Sequence, residues 1–248
     1  MNQEQMKTSP GSFLFRGTLV VPKWSEFWWR YLILLCLGVA ALDLALWTPA
    51  WAFHWSESNG TVTTLGIALH FKEAPLQLQQ TARDVYADTV VAFYALYVLS
   101  VVVVYGPRRF WQEIIPASWK RVAGYIVVIS AVLILGSYLS EWCGSYSGDP
   151  HGAKSKSWIL LAGVAGPITE ELFARLTLYQ MLRSKFRFLI AAVVSSLIFG
   201  LLHFGYPEPI KMIMGTLVGA FLCWTYEKTG SILTPIGIHV LNNLWNLL

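Results

Sequence analysis

Charged residues are scarce in this chain: Asp, Glu, Lys and Arg make up only 13% of its 248 residues. A typical soluble domain carries about 25%, so the composition argues against a soluble globular protein. Hydrophobic residues make up 55% of the chain. This balance is typical of a protein with several membrane-spanning segments.

Cysteine is also rare. Cys36, Cys143 and Cys223 are far apart, odd in number and form no CxxC motif. They give no support to a disulfide framework, a thiolate metal site or a thiol nucleophile, so we interpret each as an apolar packing residue. The chain also lacks an HExxH motif and a serine in a nucleophile-elbow context. It shows no convincing internal repeat, which argues against a transporter.

What the sequence does contain is long apolar runs. A transmembrane helix needs about 20 mostly apolar residues, and seven runs approach or reach that length: 31–53, 85–105, 122–142, 158–182, 188–204, 210–226 and 231–248. Tryptophans cluster at their ends, as interfacial anchors do. We therefore predict an all-α fold, a polytopic membrane helical bundle of about seven transmembrane helices. Because about 30 residues precede the first run, we interpret it as an uncleaved anchor rather than a signal peptide.

The basic residues alternate between the two sides of this predicted bundle. Twelve lie in the N-terminal tail and the second, fourth and sixth loops, five lie on the other side, and Arg175 lies inside a span. This is the positive-inside pattern. It predicts a multi-pass integral membrane protein of the prokaryotic plasma membrane type, with a cytoplasmic N-terminus and an external C-terminus. The net charge of +4 is then explained by the membrane topology, so we predict no nucleic-acid partner.

Polar residues are distributed unevenly among the predicted spans. The first three hold little beyond Asp43 and Asp88, whereas the last four hold nearly all the others. We therefore divide the chain into a tail (1–30), an N-terminal membrane scaffold of about three helices (31–157) and a membrane core of about four helices (158–248). The segment 107–121 mixes basic and aromatic residues and predicts a short interfacial helix. Glu227, beside Lys228, is interpreted as a helix-end residue at the interface.

Two glutamates and an arginine stand inside the fourth span, in the stretch GPITEELFARL. An ionised side chain at the bilayer centre costs about 2.5–3.5 kcal/mol, so these groups need partners. Glu171 and Arg175 are four residues apart and are expected to pair on one helix face. Glu170 is rotated about 100° from Glu171 and is less available to the arginine. Pro167, one turn earlier, is expected to free the carbonyl of Gly163 and to kink the helix beside a wet cavity.

Two further spans carry histidines. Phe199 and His203 are four residues apart, and so are His239 and Asn243. Buried polar groups must find each other or water, so we expect one shared polar pocket with Glu170. A carboxylate and a histidine can deprotonate water, and a second histidine and an amide can stabilise an oxyanion. The set suits a hydrolase that activates water directly, although a buried ion pair that only fixes helix packing is the competing interpretation.

The motifs EExxxR, FxxxH and HxxxN, in this order, resemble those of the CPBP family, which comprises the type 2 CAAX prenyl endopeptidases and the bacteriocin-processing proteases. The resemblance covers roughly 158–248. It implies a glutamic-type intramembrane endopeptidase in which Glu170 is the general base and His203 helps to hold or activate the water. His239 and Asn243 would then stabilise the oxyanion.

The resemblance also implies supporting roles. Glu171 and Arg175 would support the site, with Phe199 beside them, and we keep Glu171 in the catalytic set because it could also touch the water. No prosthetic group is implied. The implied partners are the lipid bilayer and a membrane-associated peptide or lipoprotein substrate: a CAAX protein, a leader peptide or a C-terminal sorting signal.

Two alternatives stay open at this stage. Glu170, His203 and His239 could instead be three ligands of a zinc ion, with water in the fourth position, in a metalloprotease. The chain could also be a non-enzymatic bacteriocin-immunity or partner-binding membrane protein, in which the polar cluster gives specificity to helix packing.

Overall fold

The computed structural model describes residues 19, 28–41, 76–142, 155–201 and 209–247, and the ordered elements of these residues are all helices. We number them in chain order: α1 (Trp28–Ala41), α2 (Leu76–Tyr105), α3 (Pro107–Ile114), α4 (Trp119–Trp142), α5 (156–183), α6 (Phe188–Leu201), α7 (Pro209–Thr229) and α8 (Leu233–Leu247). The predicted all-α class is confirmed for the described residues, and so is a short helix within 107–121. Asp43, Cys143 and His203 lie outside them.

Among the described residues, two helices contain a stretch that is long and apolar enough to cross a membrane, Ala87–Tyr105 in α2 and Trp119–Gly136 in α4. Helices α1 and α6 are also apolar but shorter. These helices fit a membrane helical bundle. The count of about seven spans stays a prediction, as does the division of the chain near residue 157.

Helix α5 is continuous but changes its hydrogen-bond register along its length. Its α-helical turns are separated by two π-helical segments, in the order Lys156–Leu160 (α), Leu161–Ala165 (π), Gly166–Glu171 (α), Leu172–Tyr179 (π) and Gln180–Arg183 (α). Such widened turns are rare in proteins and are frequent at functional sites. The two glutamates lie at the end of the α-helical turn between the two π-helical segments.

The first π-helical segment leaves one carbonyl without a partner inside the helix. The Gly166 N–H donates to the carbonyl of Leu161, five residues earlier. In the same register the donor for the Ala162 carbonyl would be Pro167, which has no N–H. The carbonyl that the proline frees is therefore that of Ala162. Our expectation named the Gly163 carbonyl instead, because it assumed α-helical pairing, four residues back.

Helix α5 lies at the centre of the described bundle, and every residue from 171 to 180 is buried. Helices α6 and α7 pack closely against each other beside it. A Cβ added at Gly200 would lie 2.7 Å from the Met212 carbonyl oxygen, and one at Gly219 would lie 3.3 Å from both Phe199 and Ser196. The two glycines thus permit an approach that larger residues would oppose.

Helix α8 lies between α4 and the beginning of α5. A Cβ at Gly237 would meet the Ile126 side chain of α4 at 2.7 Å, and a Cβ at Gly163 of α5 would meet the Leu244 side chain of α8 at 2.6 Å. Small residues at both contacts therefore let α8 approach its two neighbours closely. This approach brings the polar face of α8 against the glutamates of α5.

Candidate active site

Three helices bring the predicted site residues together. Helix α5 supplies Glu170, Glu171 and Arg175, α6 supplies Phe199, and α8 supplies His239 and Asn243. Residues 202–208, which include His203, lie outside the described part of the chain. Six of the seven predicted residues can thus be located.

The predicted ion pair is present. Arg175 Nε lies 3.1 Å from Glu171 Oε2, and both side chains are fully buried. Arg175 Nη2 also donates to the Gly219 carbonyl at 3.2 Å, and the Arg175 Cζ lies 4.3 Å from the Phe199 ring centroid. The guanidinium thus lies against a carboxylate, a carbonyl and an aromatic face, as a buried charge requires. Its Nε–Oε2 contact is an ion pair without hydrogen-bond geometry, and its Nη1 has no hydrogen-bond partner among the described residues.

His239 lies between the two carboxylates. Its Nδ1 is 2.8 Å from Glu171 Oε1, and its Nε2 is 3.9 Å from Glu170 Oε2. An ionised carboxylate only accepts hydrogen bonds, so Nδ1 carries the proton in this pair. Phe199 contacts the imidazole edge-on, with ring centroids 6.0 Å apart and planes at 78°. Glu171 and Phe199 thereby fix the ring so that Nε2 faces Glu170.

Glu170 is the less engaged of the two acids. Its Oε2 is buried and has no hydrogen-bond partner among the described residues, although 25% of the whole side chain is exposed. The 3.9 Å separation from His239 Nε2 is too long for a direct hydrogen bond. One water molecule about 2.8 Å from each atom would bridge it.

Asn243 is tied to the irregular turn of α5. Its Nδ2 donates to the Ala162 carbonyl at 3.0 Å, which is the carbonyl that Pro167 leaves without a helical donor. A primary amide has two N–H groups, so this bond uses one and leaves the other for a second acceptor. Asn243 and Pro167 are both visible in the sequence. The π-helical register, which makes the Ala162 carbonyl the acceptor for Asn243, is visible only in the structure.

The charges of the site can cancel. Glu170 and Glu171 are acidic, Arg175 is basic, and His239 adds one positive charge when both of its nitrogens are protonated. The sum is then zero, which limits the cost of holding these groups away from water. A neutral total requires the imidazolium form.

Metal ligation has two candidate donors in the described site, Glu170 and His239. Across 28–41, 76–142, 155–201 and 209–247, no three His, Cys, Asp or Glu side chains are grouped closely enough to hold a metal ion. The third ligand of the zinc alternative, His203, lies outside these ranges.

The sequence did not predict a second buried polar group of residues, which we call the α3 network: Tyr105, Arg109, Glu113, Gln180 and Tyr226. Glu113 Oε2 accepts from Gln180 Nε2 at 3.0 Å and from the Tyr226 hydroxyl at 2.7 Å, and Glu113 Oε1 lies 2.9 Å from Arg109 Nη2. The Tyr105 hydroxyl donates to Gln180 Oε1 at 2.6 Å. The one feature of the sequence that could have indicated this network is Gln180, a primary amide inside an apolar run.

The environment of Glu227 also differs from the one we expected, which was a helix end at the membrane interface. It lies near the end of α7, as expected, but it is only 3% exposed. Its Oε2 accepts from the Tyr179 hydroxyl at 2.6 Å, and its Oε1 lies 3.0 Å from Arg183 Nη2. Glu227 therefore joins α7 to the end of α5 instead of facing the interface.

The fold and the site of the described residues define a class: a helical membrane protein with a paired acid and imidazole between its helices. Residues 153–245 match the family model described as "Type II CAAX prenyl endopeptidase Rce1-like". This segment contains all three motifs, and its match to the family model confirms the resemblance inferred from the sequence. With the two helices that can cross a bilayer, the match indicates a membrane protein.

Two curated proteins of Bacillus subtilis (strain 168) are similar to the chain. YdiL, named as a candidate membrane peptidase, is 31% identical over 85 residues, which is 34% of this chain and 34% of YdiL. The uncharacterized protein YyaK is 29% identical over 182 residues, which is 65% of this chain and 60% of YyaK. The chain thus covers less than two thirds of either relative. No solved structure matches the chain.

Proposed function

We propose that this chain is a glutamic-type intramembrane endopeptidase that cleaves a peptide bond of a membrane-associated substrate with directly activated water. One observation supports this function most strongly. Oε2 of Glu170, which is buried and has no hydrogen-bond partner among the described residues, lies 3.9 Å from Nε2 of His239, and one water molecule bonded to both atoms would bridge them. The match to an endopeptidase family model supports the same reaction class.

The proposed reaction begins with proton transfer from this water to Glu170, which acts as general base. The water oxygen bonds to the scissile carbonyl carbon, and the carbonyl oxygen becomes an oxyanion. His239 Nε2–H and the second N–H of Asn243 donate to that oxyanion. The C–N bond then breaks, and Glu170 returns its proton to the leaving amine. The enzyme forms no covalent bond to the substrate at any step.

Other residues position these groups in the proposal. Glu171 holds Nδ1 of His239, which requires protons on both imidazole nitrogens whenever Nε2 acts as a donor. Arg175 compensates the charge of Glu171, and Phe199 packs against both Arg175 and His239. His203 helps to hold the water, as the family resemblance implies.

The substrate class follows from the setting of the site and from the family. It is a peptide that the bilayer already holds, through a lipid group, a leader segment or a sorting signal. The protein is multi-pass in the plasma membrane, with its N-terminus in the cytoplasm and its C-terminus outside, in line with the distribution of basic residues.

The test is cleavage of such peptides by the purified chain reconstituted in lipid, with products identified by mass spectrometry. Glu170→Gln keeps the size of the side chain and removes the base, so kcat is expected to fall by about 10²–10⁴-fold. Asp88→Asn, at an exposed carboxylate of α2, is the matched control and should retain the rate. Cleavage by a folded Glu170→Gln variant at the unaltered rate would refute the role of Glu170 as the base. Absence of cleavage by the folded, unaltered chain would instead favour a non-enzymatic immunity or partner-binding role.

A metal-assisted reaction is the second candidate, and one contact favours it. A metal-bound histidine commonly donates its other N–H to a carboxylate, as His239 Nδ1 does to Glu171. Glu170, His239 and His203 would then be the ligands. Metal analysis of active protein separates the two proposals: stoichiometric zinc that is required for cleavage supports this one, and full activity after complete metal removal contradicts it.

A further inference from the structure

The first π-helical segment of α5, Leu161–Ala165, contacts the proposed active site through one carbonyl group. That carbonyl belongs to Ala162, and it accepts from Asn243 Nδ2 at 3.0 Å. Asn243 lies one turn after His239 on α8, so the two side chains share a helix face. The backbone of α5 therefore holds one of the two side chains that we assign to the oxyanion.

The chemical nature of this partner determines which way the Asn243 amide faces. A primary amide has an oxygen that accepts hydrogen bonds and a nitrogen that donates them, and only the nitrogen can bond to a carbonyl. A backbone N–H in the place of the Ala162 carbonyl would attract the amide oxygen and reverse the side chain. A carbonyl that the helix leaves free thus fixes the NH₂ group on the α5 side.

Gly166 and Pro167 together leave that carbonyl free. The Gly166 N–H, which would reach Ala162 in an α-helix, donates instead to the carbonyl of Leu161. Pro167, the next residue, has no N–H to offer in the π register. Gly166 also makes room for the wide turn, because a Cβ there would lie 3.0 Å from the Leu161 carbonyl oxygen and 3.8 Å from Glu170 Oε1. The turn therefore lies directly beside the proposed base.

A carbonyl without a donor is costly in this setting. Backbone polar groups inside a bilayer have to be satisfied within the protein, and Pro167 prevents the helix from satisfying this one. The Asn243 side chain supplies the missing donor from another helix. The contributions of Pro167 and Asn243 to stability are therefore coupled through a single carbonyl group.

We propose that Pro167 is a positioning residue: it reserves the Ala162 carbonyl for Asn243 and thereby orients the amide whose second N–H donates to the oxyanion. The role of that second N–H rests on the proposed function, whereas the link between Pro167 and Asn243 does not. Pro167 acts through Asn243 and not on the substrate. Alanine at position 167 would supply an N–H that competes with Asn243 for the carbonyl and loosens the hold on the amide.

The first measurement is equilibrium unfolding of the full chain in mixed micelles, for Pro167→Ala, Asn243→Leu and the double variant. In the unaltered chain, Asn243→Leu leaves the Ala162 carbonyl without a donor and should lower the folded-to-unfolded ratio about fivefold to thirtyfold. With alanine at position 167, the new N–H bonds to that carbonyl. Asn243→Leu should then change the ratio by less than about twofold, and a loss of equal size in both backgrounds would overturn the proposal.

Pro107→Ala is the matched control for this cycle. Pro107 is exposed and lies in the first turn of α3, where a backbone N–H has no acceptor within the helix. Asn243→Leu should therefore destabilise the Pro107→Ala protein as much as the unaltered chain. A smaller loss there would mean that removing any proline masks the effect, and it would equally overturn the link to Pro167.

The second measurement separates positioning from a purely structural role, through kcat and KM for cleavage of membrane-associated peptides. Pro167→Ala should lower kcat about tenfold to a hundredfold with KM unchanged, because misplacing a group by about 1 Å costs up to about a hundredfold. It should slow the Asn243→Leu enzyme no further, since residues that act as a unit are not additive. An undiminished kcat, or the same further loss in Asn243→Leu, would overturn the positioning role. A folded, unaltered chain that cleaves nothing would contradict the proposed function, and the unfolding cycle would still decide the link between Pro167 and Asn243.

Discussion

Replacing Arg175 with methionine would test the buried ion pair of the site in isolation. Methionine approximates the length of the arginine stem and can still contact the Phe199 ring through its sulfur. The substitution removes the guanidinium that lies 3.1 Å from Glu171. It leaves a fully buried carboxylate whose remaining described partner is His239.

The expected magnitude follows from that burial. Both members of the pair are 0% exposed, so solvent does not screen the loss. Breaking a buried pair by removing one partner costs about 3–5 kcal/mol, which is about two to three and a half orders of magnitude in the folded-to-unfolded ratio. Adding Glu171→Gln should restore most of this loss, because the amide is neutral and its oxygen still accepts from His239.

The assay is equilibrium unfolding in mixed micelles, measured for the single variants Arg175→Met and Glu171→Gln and for the double variant as a double-mutant cycle. Arg187→Met, at an exposed arginine, is the control and should change the free energy of unfolding by less than about 0.5 kcal/mol. If the double variant is destabilised by the sum of the two single effects, the ion pair does not hold the site together as described.

Three other substitutions have definite expected results. Gly200→Ala places a Cβ 2.7 Å from the Met212 carbonyl oxygen and should cost about 1–3 kcal/mol in thermal unfolding, whereas Gly124→Ala, with nothing within 4 Å, should not destabilise. Gln180→Leu leaves the buried carboxylate of the α3 network with one donor fewer and should cost about 1–3 kcal/mol in the same measurement. Asn243→Leu should lower kcat by about 10²–10³-fold with little change in KM, because its amide would act on the transition state; an unchanged kcat would remove Asn243 from the oxyanion site.

The local features of the site could be predicted from the sequence, because they depend on spacing along one helix. The four-residue separation of Glu171 and Arg175 specified their ion pair, and Pro167 specified that a carbonyl would be freed nearby. Which carbonyl was freed could not be predicted. It is that of Ala162 because the turn is π-helical, and Asn243, from another helix, satisfies it.

Features that depend on packing between distant parts of the chain could not be predicted as well from the sequence. The order of contacts around His239, with Glu171 on Nδ1 and Glu170 facing Nε2, requires the relative rotation of α5 and α8, which no motif spacing encodes. Tyr105 and Tyr226 were missed because tyrosine is as common in apolar cores and interfaces as in polar networks. Their hydroxyls become informative only when Gln180 and Glu113 are placed beside them.

The most direct test of the central claim is a rapid-quench, single-turnover cleavage in H₂¹⁸O, followed by mass spectrometry of both the products and the intact enzyme. If Glu170 and His239 activate a water molecule that attacks the substrate directly, one ¹⁸O appears in the new product carboxylate and the enzyme keeps its own mass at every time point. An enzyme species heavier by the acyl fragment of the substrate, formed and consumed during the turnover, would contradict the account.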